Sequence, residues 1–310
     1  MKVLTTGSTG FVGKSLLSAL DAKQYLISTT RRAHSDCDSC FDSHVVSNID
    51  ALTNWSAALI GAEAVIHLAA RVHIMRDTTR DQLAEFRRVN MDGTLNLARQ
   101  AAAIGVRRFI FLSTIGVNGN STPLGTAFSE NDAPLPHDPY SVSKYEAEVG
   151  LRAISKSTGM EIVIIRPTLV HGRKAPGNFG RLTRLVAKGL PLPLASVNNR
   201  RSLVGIDNLV NFIVTCLEHP SAANETFLVS DGEDLSTPDL IRRMARAMNC
   251  PARLVPVPES VLMAAAAMLG RRDMAQRLCG SLQVNISKAR ALLDWKPPIS
   301  VDEGLRRAVK

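Results

Sequence analysis

Long apolar runs, aromatic residues and paired cysteines are all scarce in this chain of 310 residues. The longest apolar run is the nine residues from Val261 to Leu269, well short of the ~20 that cross a bilayer as a helix. It is expected to form a core helix, with docking on a membrane surface the weaker alternative. Aromatic residues make up 5%, too few for a platform on which nucleic-acid bases could stack in succession. Five cysteines is an odd number in a chain without a signal, which argues for free thiols. Cys37-Asp38-Ser39-Cys40 has metal-ligand spacing but no second pair, so a surface loop is expected there, with zinc the remote alternative. Met1-Lys2-Val3-Leu4 leads directly into strand-like sequence, leaving no room for a signal peptide; the expected location is the cytoplasm.

What is present is an ordinary globular composition, 45% hydrophobic and 21% charged, in a chain long enough to bury a large core. The net charge of +9 is carried partly by arginine pairs at 31–32, 87–88, 107–108, 200–201, 242–243, 271–272 and 306–307. They are spread over the whole chain without interleaved aromatics. Small anionic substrates such as phosphates are therefore expected, and nucleic acid is not.

Residues 2–6 read as a short buried strand. Gly7-Ser8-Thr9-Gly10-Phe11-Val12-Gly13 follows, and then the helical run from Lys14 to Leu20. Three glycines spaced by three between a strand and a helix let backbone N–H groups meet a pyrophosphate. Gly7 permits the tight turn, Gly10 the close approach of phosphate, and Gly13 the packing of helix on sheet. A second strand, Tyr25 to Thr30, ends in Arg31-Arg32 where an acidic residue would bind the ribose 2′-hydroxyl of NAD. Two guanidinium groups suit the 2′-phosphate of NADP instead.

Further strands are expected at Val45 to Asn48, Ala64 to Ala70, Phe109 to Thr114 and Glu161 to Arg166. Asn48 or Asp50 could touch an adenine amino group, and turn chemistry explains both residues equally well. Leu68, Ala69 and Ala70 are small or apolar where a cofactor would lie close. His67 reads as a hydrogen-bonded core histidine. Asn90, in a helix from about 78 to 104, is placed to tie strand ends together. Strands alternating with helical runs predict an α/β fold, a doubly wound parallel sheet of Rossmann type. This domain is expected over 1–170, rejoined by about 203–230. Residues 171–202 and 231–310 are expected to form a smaller C-terminal substrate-binding lobe over the sheet's carboxyl edge.

Tyr140 and Lys144 lie four residues apart, one turn from each other on one helix face, after a loop from Glu130 to Asp138 and a Pro139 suited to helix entry. A cation beside a phenol is expected to lower the phenol's pKa, so that it exchanges a proton at a carbon-bound oxygen near neutral pH. Thr114, leaving the fifth strand, adds a hydroxyl at the end of the sheet where ligands bind.

Together these motifs resemble the extended short-chain dehydrogenase/reductase family, in particular its nucleotide-sugar branch. The likeness also takes in Asn90-Met91-Asp92-Gly93-Thr94, Arg166-Pro167-Thr168 and Arg200-Arg201-Ser202. It implies that Thr114, Tyr140 and Lys144 form the catalytic set. It also implies that Gly7, Thr9, Gly10, Phe11, Val12, Gly13, Arg31, Arg32, Asn48, Leu68, Ala69, Ala70, Asn90, Tyr140, Lys144 and Pro167 bind the cofactor. Asn178, Leu192 and Leu194 would surround a uracil, with Arg201 and more weakly Arg277 on the diphosphate. A homodimer through 81–103 and 140–157 is implied as well.

Departures from the family narrow the reaction. The family's dehydratases carry an Asp-Glu pair where this chain has Ile115-Gly116, so elimination of water is not expected. Val170-His171-Gly172 replaces the usual Val-Tyr-Gly. The first reading is an NAD(P)H-dependent reductase of the C4 keto group of a UDP-linked, 2-acetamido-6-deoxy sugar for O-antigen polysaccharide. Its alternative is a UDP-sugar 4-epimerase with tightly bound NAD. A non-catalytic NADP-binding regulatory protein is the third.

Overall fold

The structure, a computed structural model, describes residues 1–31, 41–72, 81–270 and 272–309; Arg32, Cys37 and Cys40 lie outside these. In chain order the strands are β1 (Lys2–Thr6), β2 (Leu26–Arg31), β3 (Asp42–Val45), β4 (Ala64–His67), β5 (Arg108–Leu112), β6 (Glu161–Pro167), β7 (Leu169–His171), β8 (Arg201–Gly205), β9 (Thr226–Val229) and β10 (Asp234–Leu235). The helices are α1 (Phe11–Ala22), α2 (Ser56–Leu59), α3 (Gln82–Phe86), α4 (Thr94–Ala103), α5 (Pro139–Thr158), α6 (Gly177–Ala187), α7 (Ile206–Glu218), α8 (Thr237–Ala247), α9 (Glu259–Met268), α10 (Arg272–Cys279), α11 (Ser287–Leu293) and α12 (Val301–Val309).

Seven strands form one parallel sheet in the order β3-β2-β1-β4-β5-β6-β9. The chain moves outward from β1 to β3 and then returns to its other side at β4. The β1/β4 boundary is thus a switch point, where a crevice opens at the strands' carboxyl ends. Both faces are covered, so neighbouring residues of one strand enter different cores. Val3 packs with Leu16 and Leu20 of α1 and Phe212 of α7, whereas Leu4 packs with Leu97 of α4 and Leu151 of α5.

The doubly wound sheet stands as expected, with three local differences. β3 begins three residues early because Asp42–Val45 pairs in register with Ser28–Arg31 at the sheet's edge, where no second apolar face is needed. β9 joins the main sheet beside β6, but β8 does not; it pairs with β7 and β10 in a separate three-stranded sheet. The expected core helix at 261–269 is α9, and none of its residues is buried. Its apolar composition describes a helix that could be buried; the packing leaves it at the surface.

Candidate active site

Helix α5 is built to start where it does. Pro139 occupies its first turn, where a missing N–H costs nothing. Asp138 caps it, its carboxylate accepting from the Ser141 backbone N–H at 2.9 Å and from the Ser141 hydroxyl at 3.1 Å. Tyr140 therefore sits at the positive end of a helix, and Lys144 one turn further in. The Lys144 Nζ donates to the Leu112 carbonyl at 2.8 Å and lies 4.3 Å from the centre of the Phe111 ring. This pins the first turns of α5 to the end of β5.

Thr114 follows two residues after that carbonyl. Its Oγ1 accepts from the Gly116 N–H at 3.1 Å and caps the short 3₁₀ turn Ile115–Val117. With a lone pair so engaged, the Thr114 hydroxyl is set to donate. Gly116 is wedged between Thr114 and α5: a Cβ there would collide with the Ser141 hydroxyl and lie 3.4 Å from the Thr114 Oγ1. Ile115 is buried. As they stand, a buried isoleucine and a glycine at 115 and 116 offer no acid or base for dehydration, and a side chain at 116 would require Ser141 to shift.

The electrostatics differ from expectation. Burial, with the Asp138 carboxylate second, raises the Tyr140 phenol above its ordinary value. Burial also lowers the Lys144 ammonium to about 7, against a smaller opposing pull from Glu148. The lysine spends its contacts on a carbonyl and a ring, and desolvation outweighs its attraction for a phenolate. Any easing of the tyrosine's proton has to come with a bound ligand.

The glycine turn fits a dinucleotide. Gly7 has φ +72°, and a Cβ on it would lie 2.7 Å from the Ala69 nitrogen at the end of β4. Gly7 thus lets two strand ends close on each other across the switch point. A Cβ on Gly13 would strike the Gly7 carbonyl, so α1 sits directly against the turn. Helix α1 starts at Gly10 with no side-chain cap and no acid in its first turn, which leaves its N-terminal dipole for an anion. Thr9, Phe11 and Val12 line this turn, with Leu68, Ala69 and Ala70, each half-buried, across from it. Arg31, at the end of β2, has a buried Nε without a hydrogen-bond partner among the described residues. Asn48 lies beyond β3 with its side chain exposed. Pro167 closes β6 opposite Val229.

Asn90 ties a loop to a helix rather than strand to strand. Its side chain accepts from the Arg71 N–H at 2.8 Å and donates to the Arg71 carbonyl and the Ser143 hydroxyl, both at 3.1 Å. It lies in a π-helical segment, Arg87–Gly93, between α3 and α4. His67 is the core histidine anticipated: wholly buried, with burial lowering its pKa to about 3.

On the lobe, Arg201 is half-buried, donates to the Gly280 carbonyl at 2.9 Å, and has its pKa lowered by burial and then by nearby Arg277. Two neighbouring guanidinium groups suit an anion. Asn178 is exposed in the first turn of α6. Leu192 and Leu194, by contrast, are 9% and 8% exposed and belong to an apolar cluster with Val186 and Ile241. Their side chains are core, and a base reaching them would meet their backbone. A cavity of about 600 Å³ adjoins the glycine turn at Gly10 and Phe11 and reaches Lys14, Arg173, Lys174 and Arg307; none of Thr114, Tyr140 and Lys144 lines it.

The residue that sequence reasoning missed is Glu148. It is fully buried and accepts from Arg166 at 2.9 and 2.6 Å and from the Ser113 hydroxyl at 2.6 Å. Arg166 also donates to Asn118 at 2.9 Å. Its signal was present: Tyr140, Lys144 and Glu148 follow at intervals of four on one helix face. Asp231 was missed too, and nothing local marks it. It accepts from the Gly205 N–H at 2.8 Å and Asn208 at 2.7 Å, and pairs with His171 at 2.9 Å. Among the described residues no group of three or more His, Cys, Asp or Glu side chains could hold a metal.

A model of the NAD dependent epimerase/dehydratase family matches residues 3–230. The chain is 45% identical over 311 residues to a Vibrio cholerae UDP-glucose 4-epimerase, covering 99% of this chain and 94% of that protein. It is 24% identical over 327 residues to an Escherichia coli dTDP-4-dehydro-6-deoxyglucose reductase, covering 99% and 96%. Among solved structures, UDP-glucuronic acid 4-epimerase from Bacillus cereus in complex with NAD superposes with a TM-score of 0.79 at 23% identity, covering 100% of this chain and 97% of that one.

Proposed function

The chain belongs to the NAD dependent epimerase/dehydratase family, and from that premise we propose that it inverts C4 of a UDP-linked sugar with NAD as its cofactor. The observation that carries this reading is the end-to-end 45% identity to a UDP-glucose 4-epimerase. It favours the epimerase over the reductase that the sequence suggested first.

The residues support a division of labour. The glycine turn and the α1 N-terminus would hold the diphosphate of the dinucleotide, which when bound takes and returns a hydride. Tyr140 accepts the C4 hydroxyl proton as hydrogen leaves carbon, and gives it back as hydrogen returns. The Thr114 hydroxyl donates to the same oxygen. Lys144, anchored on the Leu112 carbonyl, keeps further N–H bonds for ligand hydroxyls close to the tyrosine. Tyr140 and the glycine turn are fixed to one sheet and cannot exchange sides. Inversion at C4 therefore requires the sugar to turn over between the two half-reactions. Arg201 and Arg277 would hold the diphosphate as the pivot, with Asn178 beside the base. A dimer through α3–α4 and α5 would cover the 50%-exposed Val149; sedimentation at the mass of one chain would count against it.

Arg31 favours a second reading, NADPH-dependent reduction of a 4-keto UDP-sugar. A guanidinium at the end of β2 whose Nε has no partner among the described residues suits a 2′-phosphate. One experiment separates the two. Purified protein is incubated with UDP-glucose, UDP-galactose, their N-acetyl forms and a UDP-linked 4-keto sugar, with and without NADH or NADPH. Interconversion without net loss of reduced cofactor is expected; stoichiometric NADPH oxidation on a 4-keto sugar, with no interconversion, would replace the epimerase by the reductase. Tyr140→Phe should lower turnover about 10²- to 10⁴-fold in either case, with the folded circular dichroism spectrum retained.

A further inference from the structure

Helix α9 is apolar on every side yet lies at the surface. Its inner face is Leu262, Met263 and Ala266, of which Leu262 packs on the cluster of Val186, Leu192 and Ile241. Its outer face, at helical spacing, is Val261, Ala264, Ala265 and Met268. Val261 is 53% exposed, Met268 83% and Leu269 74%. A helix hydrophobic all round is normally buried, and a contiguous exposed apolar patch ordinarily marks an interaction surface. The patch continues beyond the helix. Pairing of Leu192 with Leu254 sets the chain at 190–195 beside 253–255, bringing together Leu190, 45% exposed, and Val255, 43% exposed.

Cations outnumber acids in the segments that carry this face, although Arg173 and Lys174 lie at the cavity by the glycine turn and Arg242 and Arg243 pair with Asp239, Glu233 and Asp302. Residues 171–202 and 240–270 hold eleven lysines and arginines and a single acid, Glu259, a net of +10. The whole chain carries +9, so this portion holds all of the excess and the remainder is close to neutral. Arg201 belongs to the proposed diphosphate site, but Lys188, Arg246 and Arg253 are exposed and have no carboxylate partner among the described residues. Arg253 sits in the strand-like pairing next to Val255.

We propose that this face, α9 with the 190 and 253–255 segments, docks on the surface of an anionic lipid bilayer. Exposed Leu, Val and Met side chains would enter the headgroup boundary while the surrounding cations meet anionic headgroups. Charge decides against a second copy of the chain. A twofold contact opposes each patch to a copy of itself, which would bring the unpaired cations Arg246, Arg253 and Lys188 of one copy towards those of the other.

Vesicle sedimentation of the full chain tests this, using phosphatidylcholine alone and phosphatidylcholine with about one-third phosphatidylglycerol. The protein should pellet with the anionic vesicles only, and its affinity should fall at least about tenfold between ~50 and ~300 mM NaCl. Met268→Glu with Leu269→Glu, and separately Arg246→Glu with Arg253→Glu, should each weaken binding about tenfold or more. Both variants should keep wild-type melting and wild-type turnover of a free UDP-sugar, showing that the fold is intact. Wild-type protein left in the supernatant with both vesicle types would overturn the proposal. So would equal pelleting with neutral vesicles, variants that bind as wild type does, or a change in solution mass on Met268→Glu with Leu269→Glu, which would assign the face to self-association.

Discussion

Lys144 is an ammonium group with almost no water around it, and that controls both catalysis and stability. Its pKa is 10.5 when unperturbed and about 7 in the folded chain, lowered by burial. Between those values the unfolded chain binds more protons than the folded one, so stability rises with pH across this window and is at its flat minimum below about 7. Lys144→Met, of similar length, should raise the melting temperature of the cofactor-free protein at pH 7 and flatten the slope up to pH ~10, as read by calorimetry. The same change should reduce turnover at least about 10²-fold. A lower melting temperature would mean that the Leu112 carbonyl contact outweighs desolvation. His67 illustrates the opposite solution to burial. The Thr94 hydroxyl donates to the Asn90 carbonyl at 2.7 Å and so accepts from the His67 Nε2–H at 2.9 Å. This leaves Nδ1 to accept from the Thr6 hydroxyl at 2.7 Å. The ring stays neutral, both nitrogens are satisfied, and the end of β1 is tied to α4.

At the scale of elements, α5 does two jobs on one face. Its first two turns carry Tyr140 and Lys144, and its third carries Glu148, the buried partner of Arg166 on β6. Close packing supports this placement: a Cβ on Gly150 would lie 2.6 Å from the Leu95 side chain of α4, so a larger residue there would make Leu95 move. The Glu148–Arg166 pair is almost fully buried, so losing one partner strands the other charge. Glu148→Gln should therefore destabilise the protein by about 3–5 kcal/mol in urea unfolding. It should also lower turnover, because Ser113, which donates to Glu148, immediately precedes Thr114. Replacing Glu148 and Arg166 together by Met and Leu should recover much of that stability. Failure to recover it would show that the network with Asn118 and Ser113 holds more than the pair itself.

For the whole molecule, the two sheets are not separate bodies in packing terms. One apolar cluster contains Val3 and Leu16 near the N-terminus, Phe227 of β9, and Leu282, Val284 and Trp295 from the last part of the chain. Trp295 packs edge-on against Phe212 of α7, with ring centres 4.7 Å apart. Trp55, fully buried, belongs to the cluster on the sheet's other face. The chain has two tryptophans, so Trp55→Phe and Trp295→Phe variants each leave one reporter. Their fluorescence should lose native character at the same denaturant concentration, as expected when cores are continuous. Midpoints separated by more than about 0.5 M urea would mean that the C-terminal lobe unfolds alone.

The sheet was legible in the sequence because each buried strand is a short apolar run between glycine or helical segments, and the glycine turn and the Tyr140-Lys144 interval declare their geometry within seven residues. Local spacing determines such features before any packing occurs. Other features depend on contacts between distant segments. Leu192 and Leu194 turned into core because α8 and the 253–255 segment cover them, and α9 stayed exposed because nothing among the described residues covers its outer face. The Tyr140 phenol rose instead of falling because the fold buries it, with the Asp138 carboxylate adding to the effect. Glu148 found Arg166 across α5 and β6, and Asp231 found His171 and Asn208 across 60 and 23 residues of sequence. A sequence sets which groups can be charged, apolar or turned; burial and the neighbours assembled by the fold decide which of those capacities is expressed.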